Sequence, residues 1–299
     1  MREIEFKFTQ SEPIPERMRR IYAALSTRIG EDGTDISHER IHDTRTNIKK
    51  LRALWHLIRP IVAKDIYERN NQRLRNAAHG LSPLRDPHMA AEQLEELVKR
   101  AASKKVRAAC AHSLEVIASQ NSARQPAAGE AREKLERVWK EMRESLRQFS
   151  KLDLDKDEWV LIGPGLQRMY RTARRRMKKA RKNDDDHDFH NWRKAAKYYM
   201  YYVELLSFVW PETLEKEAER LKALEQALGE DHDLTMLAER LDQEKAAIGR
   251  DVVSDVLGEI DKRKKALRRQ SLKDGEELFA RKPKKLIAKI ARHWQKARA

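Results

Sequence analysis

This 299-residue chain is poor in several things, and each shortage excludes a class of protein. Its one cysteine, Cys110, leaves no intrachain disulfide and no Cys-x-x-Cys metal or redox pair. Ten glycines and nine prolines gather at a few breaks, where a sandwich of short strands would place turn residues every ~8–12 positions. No run approaches the ~18 apolar residues of a membrane span, and charges interrupt the first twenty residues, so neither a spanning helix nor an export signal is expected. Carboxylates are also scarce: 48 Asp plus Glu against 64 Lys plus Arg leave a net charge of +16 and a pI near 9.8. With 40% hydrophobic residues spread along its length the chain still has the makings of a core. The expectation is a soluble cytoplasmic protein whose bulk charge suits a polyanion, a membrane surface or an acidic protein; the distribution of that charge along the chain points to a polyanion without membrane contact.

Apolar residues at Ile41, Ile48, Leu51, Leu54, Trp55 and Ile58 advance by three, four and seven, the period of a helix that Asp35 or Ser37 would cap and Pro60 would stop. The same period predicts helices near 11–30, 64–80, 86–120, 127–150, 160–181, 186–208, 212–229 and 231–295, the last broken near Lys273 to Gly275 or at Pro283. The fold class is therefore all-α. Shifting the sequence by 148 places Tyr22 on Tyr170, Arg28 on Arg176, His42 on His190, Arg45 on Arg193 and Lys49 on Lys197. A shift of 147 places Leu81 on Leu228, Asp86 on Asp233, Met89 on Met236, Glu92 on Glu239 and Leu94 on Leu241. Matches in one order and at nearly one offset indicate a tandem duplication. The expected organisation is a short extended segment over 1–10, then two helical bundles of about four helices each, over 11–150 and 151–299, related by a pseudo-twofold axis.

One predicted helix carries an unusual stripe. His38, His42, Arg45, Lys49, Arg52 and His56 are spaced four, three, four, three and four apart, on one arc of about 80 degrees, with Leu51, Leu54, Trp55 and Ile58 behind them. The second half repeats the design with His187, His190, Arg193, Lys194 and Lys197, backed by Trp192, Tyr199, Tyr202, Val203 and Leu206. Exposed helices usually pair their charges at i+4, and both arcs mostly lack such partners. A chain of phosphates suits this set: Arg forks two oxygens, Lys supplies a point charge, and His adds a donor that charges near pH 6.5. We expect central contacts from His42, Arg45, Lys49, Arg52, His190, Arg193, Lys194 and Lys197, and outer ones from Arg20, Arg28, Arg171 and Arg175. The six tryptophans fall mostly among apolar neighbours and neither stripe interleaves aromatics, unlike single-strand nucleic-acid binders.

The pattern His42-x-x-Arg45-x-x-x-Lys49-Lys50-Leu51-Arg52, then Leu81-Ser82-Pro83-Leu84-Arg85-Asp86, then His190-x-x-Arg193-Lys194-x-x-Lys197 with Tyr201 and Glu204, then Leu228-Gly229-Glu230-Asp231-His232-Asp233, resembles the CHAD family, the conserved histidine α-helical domain. The resemblance spans about residues 11–290. It implies two four-helix bundles around a basic central channel that binds inorganic polyphosphate, often in polyphosphate granules, with a CYTH-type triphosphatase or granule proteins as companions. The sequence departs from the pattern at Met200, where arginine is expected, so the second stripe is one charge lighter.

Other motifs invite other chemistry. His38-Glu39-Arg40-Ile41-His42 spells a zinc-protease string, but no third ligand follows, and His38 aligns with Asp186 in the second half. The Asp184 to Asp188 run with His187 offers divalent-cation ligands; carboxylates at a helix start more often cap it. Asp86 and Asp233 are read as helix caps or partners of a buried Arg. Glu3-Ile4-Glu5-Phe6-Lys7 looks like the opening strand of a CYTH triphosphatase, whose remaining strands do not follow. With no nucleophile and base pair and no phosphate loop, we expect a binding module with no catalytic residue, metal or cofactor. The alternatives are a binder of nucleic-acid phosphate backbones and a metal-dependent phosphohydrolase accessory domain.

Overall fold

Ser37 begins the helix that carries the first stripe: its hydroxyl accepts from the Arg40 N–H at 3.3 Å, filling one of the vacancies at a helix N-terminus. The computed structural model describes residues 6–27, 37–123, 128–154 and 158–298. Among them are twelve α-helices, one 3-10 turn (Ser207–Val209) and no strand. In chain order the helices are α1 (Ile14–Thr27), α2 (His38–Ile58), α3 (Lys64–Gly80), α4 (Ser82–Arg100), α5 (Lys104–Ala123), α6 (Ala128–Ser150), α7 (Glu158–Asn183), α8 (Asp186–Leu205), α9 (Pro211–Gln243), α10 (Lys245–Ile248), α11 (Arg250–Leu278) and α12 (Pro283–Arg298). No helix among the described residues is long and apolar enough to cross a membrane.

Three boundaries differ from the sequence expectation. The segment 86–120 divides into α4 and α5, because the chain folds back at Ala101 to Ser103 without a glycine or proline to mark the turn. Gly229 does not end a helix; α9 runs through it, and the reversal falls instead at Gly249, whose φ of 104° is open to glycine. Nor does α11 break at Lys273 to Gly275, where the ring of Trp192 packs against Gly275; it ends at Leu278, ahead of Pro283.

The helices pair similarly in the two halves. α1 packs on α2 and α6, as α7 packs on α8 and α12; α4 packs on α5, as α9 packs on α11. Across the halves α2 meets α7 and α8, α4 meets α9, and α5 meets α11. The hydrophobic side chains form two clusters, and neither respects the division at 150. The larger includes Trp55, Leu57 and Phe149 together with Tyr170, Trp192 and Tyr202. The smaller joins Leu94, Leu97, Cys110 and Ile117 to Leu234, Leu237, Val256 and Ile260.

Inside the larger cluster the Trp139 and Trp192 indole nitrogens are buried without a hydrogen-bond partner among the described residues, whereas the polar groups around Trp55 are satisfied. The Trp55 indole donates to the Tyr22 hydroxyl at 2.8 Å and to Ser145 at 3.2 Å, and the Tyr22 and Ser145 hydroxyls lie 2.6 Å apart. Buried aromatics of this kind each remove ~150–250 Å² from water, provided their polar tips find such partners. Among the contacts that hold the halves together are three along the larger cluster. Tyr202 donates to the Ala53 carbonyl at 3.0 Å, and Glu158 accepts from the Ile14 N–H and from Arg298, each at 2.8 Å. At the third, α7 crosses α2 so closely at Gly165 that a Cβ there would stand 1.8 Å from the Leu57 carbonyl oxygen. The first described residues also dock: Phe6 and Phe8 are buried, and Phe8 N–H donates to Leu205 at 2.9 Å.

Candidate functional site

The crossing of α2 and α7 opens onto a cleft of about 570 Å³ whose walls come from α2, α4, α7, α8 and α9, and so from both halves of the chain. Helix α2 with its C-terminal cap residue Arg59 contributes Arg45, Lys49, Arg52, His56 and Arg59, five residues at steps of four, three, four and three. Helix α8 contributes His190, Arg193, Lys194, Lys197 and Tyr198, while α7 adds Arg168, Thr172 and Arg176. His232, Asp233 and Met236 of α9, Ser82 and Met89 of α4, and the apolar Met169 of α7 and Ala195 of α8 complete the lining. Nine Lys or Arg side chains thus share the cleft with one lining carboxylate, Asp233. Arg45 and Arg193, Lys49 and Lys197, and Met89 and Met236, the pairs related by the two sequence offsets, all line it.

The cations are held by contacts that fix their direction. One Arg45 nitrogen donates to the Ala78 carbonyl (3.2 Å) and to Ser82 (3.1 Å), so the step between α3 and α4 aims the guanidinium. Arg52 donates to Asn71 at 3.1 Å, and Arg176 to the Asn191 carbonyl at 2.9 Å. Glu225 of α9 lies 2.8 Å from Lys197 and 3.3 Å from Arg193. Burial works against ionising Glu225, yet Lys197 and Arg193 hold its carboxyl below the usual range. Gly229 has a role here: a Cβ would come within 3.3 Å of the Arg193 guanidinium, so the missing side chain lets Arg193 lie against α9.

Crowding of like charges shows in the titrating groups. Burial, followed by Arg52 and Arg168, pushes His56 down to about 3, and its Nδ1 meets the Tyr67 hydroxyl at 2.8 Å. Burial, then His232 and Lys194, pushes His190 down to about 3 as well. The His190 and His232 rings pack with centroids 4.0 Å apart. Lys194 is lowered by desolvation and by Arg176, Arg75 and Arg52. Unliganded, the cleft therefore gathers Lys and Arg side chains around His56 and His190, whose imidazoles are neutral near pH 7. An anion would relieve the repulsion and raise the imidazoles back toward charge.

Of the twelve sequence-predicted contacts, seven line the cleft: Arg45, Lys49, Arg52, His190, Arg193, Lys194 and Lys197. His42 does not; it is exposed at the start of α2. Arg20 is bound to Glu12 at 2.8 Å, away from the cleft. Arg171 and Arg175 are exposed on α7 beside the lining face, which is Arg168, Thr172 and Arg176. Arg28 and the side chains of His38 and Asp86 lie outside the described residues. Met200 is buried in the larger cluster and is not part of the lining. Sequence reasoning omitted His56, Arg59 and His232 from the contacts, although two more steps along the α2 stripe lead from Arg52 to His56 and Arg59.

Asp185, His187 and Asp188 are the only group among the described residues placed to share a metal ion. They are engaged otherwise. Asp185 caps α8 by accepting from the Asp188 N–H at 2.7 Å, and Asp188 accepts from Lys179 at 2.8 Å and Asn183 at 2.6 Å. Asp186 is bound by Lys264 at 2.8 Å and by Arg268. Asp233 lies within α9 and caps nothing, because the expected break at Gly229 is absent.

The model of one protein family, the CHAD domain, matches residues 16–242 of this 299-residue chain. No curated protein matches it.

Proposed function

The chain belongs to the CHAD family, and from that premise and the cation-lined cleft we propose that it binds inorganic polyphosphate, without catalysis, between its two halves. The observation that carries the reading is nine Lys or Arg side chains around about 570 Å³, drawn from α2 and its C-terminal cap, α7 and α8. That volume holds roughly twenty water molecules, enough for a bare phosphate thread and too little for a duplex. Among the cleft residues Tyr198 is the one aromatic besides histidines, so base stacking has little support. Charge-assisted hydrogen bonds contribute about 1.5–3 kcal/mol each, and a micromolar complex needs about 8 kcal/mol beyond association costs, so a handful suffices. A module of this kind would place the chain on polyphosphate granules in the cytoplasm, alongside granule proteins or a CYTH-type triphosphatase.

The test is a titration with polyphosphate, tRNA and duplex DNA in parallel at about 0.2 M salt, where weak ionic binding is suppressed. Preferential binding of polyphosphate, with log affinity falling linearly in log salt, is the expected result. Equal or tighter binding of nucleic acid would reassign the cleft to phosphate backbones in general.

A further inference from the structure

The two halves depart from each other beside the first turns of α9. In the first half α3 packs on α6, and Arg73 of α3 pairs with Glu141 of α6 at 2.9 Å. The 147-residue offset carries α3 onto the start of α9, Asn70 onto Glu217 and Arg73 onto Arg220; the 148-residue offset carries α6 onto a stretch that includes α12. These counterparts make no comparable packing among the described residues, and Arg220 pairs instead with Glu277 of α11 at 2.6 Å. The departure leaves a cavity of about 280 Å³ between α9, the end of α11 and the start of α12.

Charges in this cavity balance, unlike those in the cleft. Its lining holds three carboxylates, Glu212, Glu217 and Glu277, and three cations, Lys216, Arg220 and Arg281. Such a mixture repels a phosphate chain as much as it attracts one. Arg220 and Glu277 satisfy each other, but Glu217 and Arg281 do not. Tyr199 donates to one oxygen of Glu217 at 2.7 Å and so fixes the carboxylate, whose other oxygen has no hydrogen-bond or ion-pair partner among the described residues. The Arg281 side chain has none either, although its charge acts on Glu217 through space, opposing the rise that burial imposes on that carboxyl. Asn70, at the matching position of the first half, is buried and complete: it donates to the Ile66 carbonyl at 2.9 Å and accepts from Arg73 at 3.2 Å. A carboxylate taken partly out of water and bonded on one side alone is costly until a donor completes it.

We propose that this cavity binds a free α-amino acid, its ammonium on the open oxygen of Glu217, its carboxylate in the fork of Arg281, and an aliphatic side chain against Leu278 and Leu286. The volume is that of roughly nine water molecules, room for a molecule of this size. A simple cation would meet Lys216 and Arg281, and a simple anion would meet Glu212 and Glu217; a zwitterion suits both signs at once. The site is separate from the cleft and does not rest on the polyphosphate reading.

Wild type, Glu217→Gln and Arg281→Gln are titrated by calorimetry with free leucine, valine and methionine up to about 1 mM. Leucine methyl ester and N-acetyl-leucine, which lack the anionic and the cationic group respectively, are titrated alongside. At least one free amino acid should bind wild type, and both blocked leucines should bind about tenfold more weakly than leucine, each having lost one charge-assisted contact. Each variant should lose about tenfold or more for the amino acid while keeping its polyphosphate affinity, since neither side chain lines the cleft. Glu217→Gln retains an acceptor for Tyr199, and Arg281 is exposed, so an unchanged unfolding midpoint is expected of both. Arg281→Lys, which keeps the charge without the fork, should fall between wild type and Arg281→Gln. No binding of any of the three amino acids, equal binding of either blocked leucine, or full affinity in both Gln variants would each overturn the proposal.

Discussion

Alanine at position 165 would set a methyl group 1.8 Å from the carbonyl oxygen of Leu57. The obstacle is backbone, and no rotamer can move it aside. Heavy atoms rest at about 3.5 Å, so α2 and α7 would have to separate by ~1.5 Å or more at the crossing. A radial gap of even 0.5–1 Å forfeits about a quarter to a half of each dispersion contact, and buried Leu54, Ile58, Leu161 and Leu166 flank this point. Overpacking commonly costs about 1–3 kcal/mol, and a backbone collision belongs at or beyond the upper end. Against this, alanine returns about 1 kcal/mol of helix propensity. Gly165→Ala should therefore lower the unfolding midpoint by about 5–10 °C, taking ~2–4 °C per kcal/mol for a chain of this size. Gly258→Ala supplies the control: it sits in exposed α11 with nothing within 4 Å of a Cβ, so only the propensity gain of about 1 kcal/mol remains and the midpoint should rise. Thermal denaturation followed by circular dichroism reads both. A Gly165→Ala midpoint at or above that of wild type would refute the close crossing.

Other consequences are equally direct. Arg45→Glu and Arg193→Glu, placed on opposite halves, should each weaken polyphosphate binding by about tenfold to a hundredfold, the loss of one charge-assisted contact; unchanged affinity in both would sink the shared cleft. His56 and His190 are held at about 3, through burial first, and return to about 6.5 on unfolding. The unfolded chain then binds more protons between those values, so stability should fall as pH drops from about 6.5 toward 3, and less steeply in His56→Gln/His190→Gln; parallel denaturation curves would refute the assignment. Because phosphates raise both imidazoles, binding at about pH 6 should take up protons, measured by calorimetry in two buffers of different ionisation heat, and zero uptake would place the histidines outside the contact. Arg268→Met strands Asp231, which is 3% exposed and paired to it at 2.8 Å, and should cost about 3–5 kcal/mol; Arg268→Met/Asp231→Leu should recover much of that, and failure to do so would count against an ion-pair origin.

The stripe on α2 was legible because its steps of three and four are written in the sequence, and a helix converts them directly into a face. The division between Arg168/Thr172/Arg176 and Arg171/Arg175 was not. Both sets flank the same apolar side of α7, and what selects one for the cleft is the approach of α2 at Gly165, a fact of packing between residues over a hundred positions apart. Gly229 misled for a related reason. Read locally, glycine followed by acidic residues signals a helix boundary; in the fold it clears space for Arg193. His232 sits in a quoted motif, but only the meeting of α8 and α9 shows that its ring packs on His190. The turn between α4 and α5 carries no breaker residue at all, and is set by α4 and α5 packing on each other.

The smaller cluster has a consequence for how the chain comes off the ribosome. Leu94, Leu97, Cys110 and Ile117 are synthesised more than a hundred residues before Leu234, Leu237, Val256 and Ile260, which cover them. Until those arrive, the nascent protein presents a greasy face and an accessible thiol. In the finished fold Cys110 is fully enclosed, and burial pushes its thiol up to about 11. The single cysteine is thus a built-in clock: the moment it stops reacting with an alkylating reagent marks the moment the second half has closed over the first.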